Sequence, residues 1–144
     1  MSESDPLDWV EKLHRAEKHL ADSKAGLWRD VCAAMTDASR SFNKLYGGHS
    51  EVKPINGHRF RITVQHEGQK HEAELDFDDQ SGKLTTAYNA AIEGIKHFDI
   101  KADYAAAFIV DGDGKRVTAD QISHAILKPL FFPWPPNNAV IELW

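Results

Sequence analysis

Histidine is the residue type here best suited to chemistry: the chain has eight, and neutral imidazole serves both as a metal ligand and as a base near neutral pH. His66 and His71 flank Glu67-Gly68. If that dipeptide is a tight turn, the two rings become diagonal neighbours across a hairpin. A zinc site needs a third protein ligand, and His58 or Glu67 would have to bend in to supply it. The plainer reading leaves His66 in solvent beside the turn and puts His71 at the rim of the core. His14 and His19 fall on different faces of a helix, and His97 and His124 fit surface or capping positions.

The carboxylates carry weaker signals. Asp111-Gly112-Asp113-Gly114 resembles the middle of a calcium loop, but setting Gly114 at the obligatory glycine puts Ile109 at the first ligand position and Asp120 at the last. A glycine-assisted turn explains the same residues. Asp76, Asp78 and Asp79 can in principle hold a divalent cation or act as acid and base; carboxylates at a strand end more simply solvate the turn. Cys32 is the only cysteine, so no intrachain disulfide forms, and it reads as a small buried hydrophobe. Glycine-rich phosphate loops, serine elbows and HExxH helices are missing, and no cofactor is expected.

One segment has the composition of a contact surface: Leu130-Phe131-Phe132-Pro133-Trp134-Pro135-Pro136. Prolines hold such a stretch extended. Phe131, Phe132 and Trp134 then either complete the core of the monomer or form an apolar patch for a protein partner or for self-association. The leading expectation is a non-catalytic interaction or regulatory domain. The alternative is a small-ligand or metal-dependent enzyme with a pocket between helix and sheet, lined by His58, His66, His71, Tyr88 or Tyr104.

The elements that position these residues follow from periodicity. Asp5-Pro6 reads as a helix start, and Leu13, Leu20, Leu27, Val31, Met35, Ala38, Phe42 and Leu45 recur at helical spacing up to Gly47-Gly48. The stripe is sparse before Leu27 and dense after it, and Asp22, Ser23 and Gly26 weaken the helix between. One long helix or two collinear ones are expected, with a helical hairpin as the alternative. Residues 58 to 66 and 70 to 77 alternate apolar and polar. A turn at Glu67-Gly68 pairs Phe60 with Leu75 and Ile62 with Ala73 inside, and Arg61 with Glu74 and Arg59 with Asp76 outside.

Further strands are expected at 83–86, 105–110, 115–117 and 139–144. A helix is expected from near Thr86 to Phe98, on the spacing of Leu84, Tyr88, Ile92, Ile95 and Phe98. A second, opened by the capping box of Thr118 and Gln121, closes at Pro129.

The fold class is therefore α+β: a long N-terminal amphipathic helix on an antiparallel sheet of four to six strands, with two shorter helices. The 144 residues, 42% of them hydrophobic, suffice for a single domain, with 1–48 helical and 57–144 holding the sheet and short helices. A net charge of −5 without a strongly basic segment argues against nucleic acid and anionic membrane as partners. The lone cysteine and the polar start of the chain point to the cytoplasm.

Overall fold

The structure, a computed structural model, describes residues 8–66, 68–89 and 95–132. Helix α1 (Trp9–Tyr46) is continuous; at 1.5 Å per residue it is about 57 Å long. The Asp8 carboxylate caps it by accepting the Glu11 N–H at 2.7 Å, so the helix starts three residues after the expected Asp5-Pro6. Gly47 ends it in the left-handed conformation, φ 62°, where a side chain would be strained.

Among the described residues seven antiparallel strands follow: β1 (His49–Asn56), β2 (Arg59–His66), β3 (Gln69–Asp78), β4 (Lys83–Tyr88), β5 (Ile95–Ala102), β6 (Ala107–Val110) and β7 (Arg116–Val117). Their spatial order is their sequence order, a meander in which each strand pairs with the next. Helix α2 (Ala119–Phe131) closes the described fold.

The β2–β3 register is the expected one: Phe60 faces Leu75, Ile62 faces Ala73, Arg61 faces Glu74 and Arg59 faces Asp76. Between β3 and β4, Gly82 (φ 76°) packs so closely that a Cβ would lie 2.8 Å from the Ile100 carbonyl oxygen. Aspartates anchor three turns by accepting backbone N–H groups, as their short side chains favour. Asp78 takes Gln80 and Ser81, Asp103 takes Ala105 and Ala106, and Asp111 takes Asp113 and Lys115.

Several expectations are corrected. Strands number seven rather than four to six, and α2 is the single short helix among the described residues. The stretch expected as a helix from Thr86 to Phe98 instead contributes the end of β4 and the start of β5, paired Leu84 to Phe98 and Thr86 to Lys96. Leu84 and Tyr88 are four apart, a spacing that suits one helix face and equally one face of a strand. Strand β1 was not foreseen, because its Pro54 and exposed side chains are the marks of a sheet edge. Pro129 lies inside α2, which continues to Phe131. The expected strand at 139–144 lies outside the described residues.

The core lies between the inner face of the sheet and both helices. Phe60, Ile62, Val64, Leu75, Phe77, Leu84, Phe98 and Ile100 meet Trp28, Val31 and Met35 of α1 and Ile122, Ile126, Leu130 and Phe131 of α2, all buried. Trp28 stacks on Phe77 with ring centroids 5.4 Å apart and donates its indole N–H to the Gly57 carbonyl at 3.0 Å. The capping box of α2 is present, with Thr118 and Gln121 each accepting the other's backbone N–H. No helix among the described residues is long and apolar enough to cross a membrane.

Candidate functional surfaces

Of the expected histidine set, the register makes His66 and His71 diagonal neighbours as expected, and His58 stands apart. His71 points into the core and is buried, and its Nδ1 has no hydrogen-bond partner. His58 is exposed at the β1–β2 turn, its backbone N–H held by Asn56 Oδ1 at 2.7 Å. His71 pairs with Val64 near the other end of β2, so His58 stands about 20 Å away along the strand. His66 ends β2 opposite Gln69. Among the described residues no three His, Cys, Asp or Glu side chains cluster as a metal site would require.

The remaining candidates are committed elsewhere. The Tyr88 hydroxyl donates to the Ile126 carbonyl at 2.7 Å, and burial pushes its pKa up to about 12. Burial likewise raises the Cys32 thiol to about 12, far from the thiolate a nucleophile needs. Asp76 pairs with Arg59 at 2.7 Å. Asp78, serving its turn, is held below the usual carboxylate range by the Gln80 and Ser81 N–H groups.

Phe131 is a core residue: its ring stacks on Phe42 with centroids 4.3 Å apart. Phe132 is half-buried, edge-on to Phe42 and Tyr46. Trp134 lies outside the described residues.

The outer face of β1–β3 carries a charge ladder. Arg61 reaches Glu72 at 3.0 Å and Glu74 at 3.1 Å, and Arg59 reaches Asp76 and, at 3.5 Å, Glu74. Beside it runs a polar groove of about 670 Å³, lined by Glu51, Lys53, Thr63 and Lys70 among others.

The free edge of this face is blunted. The Asn43 amide accepts the Ser50 N–H at 2.7 Å and donates to the Ser50 carbonyl at 2.9 Å. Residues of an antiparallel strand alternate in turning these groups toward or away from the partner, so Ser50, Val52 and Pro54 face away from β2. Asn43 occupies Ser50 and Pro54 has no N–H, which leaves Val52 as the donor on that side. Such an edge is a poor template for an added strand.

One group of exposed apolar side chains among the described residues was not singled out from the sequence. Trp9, Val10 and Leu13 are 75%, 54% and 52% exposed. Trp9, Leu13, Ala16, Leu20 and Leu27 recur at spacings of four, three, four and seven, so this row continues the stripe that is buried from Trp28 onward. The N-terminal half of α1 rests on loops through polar contacts. His19 donates from Nε2 to the Tyr104 carbonyl at 3.1 Å, the Lys12 ammonium lies 5.3 Å from the centre of the Tyr104 ring, and Lys24 donates to the Asp79 carbonyl. At its first turns Trp9, Val10 and Leu13 are thus left exposed, whereas Leu20 and Leu27 further along are half-buried against the core. The sparse stripe before Leu27 was the available signal.

No family model, curated protein or solved structure matches the chain at a significant level.

Proposed function

We propose that this chain is a non-catalytic interaction or regulatory domain of the cytoplasm that binds another protein through exposed side chains in the first turns of α1. The observation that carries the reading is the exposure of Trp9, Val10 and Leu13 on the stripe that elsewhere forms the core. Apolar side chains gathered on one surface are a common mark of partner sites. The blunted β1 edge favours recognition by side chains over strand addition.

The test is capture of partners from native cell extract by the tagged chain and by a W9A/L13A variant. Both substituted positions are exposed, so the variant should keep the wild-type unfolding midpoint. The expected result is a partner held by the wild type and lost by the variant. A wild-type chain that stays monomeric and retains nothing overturns the reading.

A second reading, a small-ligand enzyme, draws on the polar groove beside Lys53 and Lys70. It places the ligand on the outer face rather than between helix and sheet. A stabilising hit in a thermal-shift screen of polar metabolites, abolished by K53A/K70A, would favour it; a flat screen removes its support.

A further inference from the structure

We infer that the polar groove on the outer face of β1–β3 binds a short dicarboxylate that carries a hydroxyl or an ammonium between its two acid groups. This rests on the groove of the second reading, takes its ligand without its catalysis, and is independent of the partner site on α1.

The groove exists because one short side chain is ringed by long ones. Thr63 is half-buried, with Arg61 and Gln65 beside it along β2 and with Glu51 and Glu72 directly opposite it on β1 and β3. Side chains two apart on a strand share a face. All of these line the same depression of about 670 Å³, so its floor is the Thr63 hydroxyl, which both donates and accepts. The wall toward α1 is fixed by the two bonds between Asn43 and Ser50.

Charge along one diagonal of this lattice selects the ligand. Lys53 pairs with Arg61 and Lys70 with Gln65, which sets the two lysines at opposite corners of the groove, about 16 Å apart between Cα atoms. Both line the groove and are exposed, and neither forms an ion pair with a described residue. Arg61, by contrast, is taken by Glu72 at 3.0 Å and Glu74 at 3.1 Å. The diagonal thus runs from a free cation, across Glu51, Thr63 and Glu72, to a second free cation. Its complement is an anion at each end and a donor in the middle. With the lysine stems turned inward, each ammonium meets one carboxylate, while the central hydroxyl or ammonium donates to Thr63 Oγ1 and the flanking carboxylates.

Other anions fit less well. A single phosphate cannot touch ammonium groups at opposite corners, and the guanidinium that would fork onto it is occupied. A polyanion or an anionic bilayer would lie against Glu51, Glu72, Glu74 and Asp76 on the same face, where like charges oppose it.

The experiment titrates the full chain with L-malate and L-aspartate, with succinate, which lacks the central donor, and with inorganic phosphate. Heat of binding and the unfolding midpoint are the readouts. Malate or aspartate should bind saturably and raise the midpoint, succinate should bind more weakly, and phosphate should not bind. Lys53→Ala and Lys70→Ala should each lower affinity by about tenfold, the loss of one charge-assisted contact. Lys101→Ala, on β5, should leave it unchanged. Thr63→Val keeps the β-branched shape and should abolish the advantage over succinate. Without ligand the lysine variants should unfold as wild type does, since both side chains are exposed.

Binding that survives both lysine substitutions, equal affinity for succinate and malate, or phosphate binding as tightly as either overturns the inference. A metabolite of another chemical class whose binding K53A/K70A abolishes leaves the groove reading standing and ends the dicarboxylate. Silence from every compound ends both.

Discussion

Two tryptophans of α1 have opposite fates. Trp28 is buried, stacked on Phe77 and bonded to the Gly57 carbonyl, whereas Trp9 has three quarters of its surface in water. Near Trp28 the helix is seated on an apolar sheet; toward Trp9 its contacts include polar ones, of Lys12 and His19 with Tyr104. Helical periodicity states which side chains share a face, and the surroundings decide whether that face is core or contact surface. The lesson is that an uninterrupted stripe can serve two purposes along its length.

The sharpest way to break this comparison is Trp28→Ala, which should cost about 3–5 kcal/mol in denaturant unfolding by removing a core ring and leaving a cavity. A cost within 1 kcal/mol would mean that the seated half is not the core. Next is Asn43→Ala, which strips the partners from the Ser50 N–H and carbonyl at the seated end and should cost about 1–3 kcal/mol. It should also raise concentration-dependent aggregation, measured by light scattering, since the β1 edge then offers a second donor.

The loops that bear Asp78 and Asp103 give a smaller, pH-dependent effect. The Asp78 and Asp103 carboxyls are held below their ordinary value, by the Gln80 and Ser81 N–H groups for Asp78 and by the Ala106 and Ala105 N–H groups and then Arg116 for Asp103. A depressed folded-state pKa stabilises the fold above the unfolded value, and that contribution disappears as pH falls through the folded one. The unfolding midpoint should therefore drop as the solution is acidified below about pH 4, with a shallower slope in D78N/D103N. An unchanged slope would show that these turns carry no such linkage.

The smallest effect is expected for Trp9→Ala, within about 0.5 kcal/mol of wild type because the residue is 75% exposed. A larger loss would show that the ring is covered within the monomer.

The β2–β3 hairpin was legible because alternation, turn and charge pairing each selected one register, down to Arg59 opposite Asp76. Strands β4 and β5 were not, because Leu84, Tyr88 and Phe98 satisfy a helical spacing as well as a strand's. Strand β1 escaped because an edge strand buries little and its apolar residues, Val52 and Ile55, do not alternate. For the surfaces, residue type left two readings open: Phe131 took the core one, against Phe42, and His71 is buried as its plainer reading had it. Trp9 went unremarked because a stripe indicates that something covers it without indicating what.

The order of elements has a consequence for how the chain is made. In the meander each strand joins the one synthesised just before it, so the sheet can grow as residues leave the ribosome. Helix α1 precedes the strands in the chain, yet part of its lining, Ile122 through Phe131 of α2, is translated after them. Until α2 is made, its greasy side therefore lacks its final shelter, which makes the nascent helix a natural client for a chaperone.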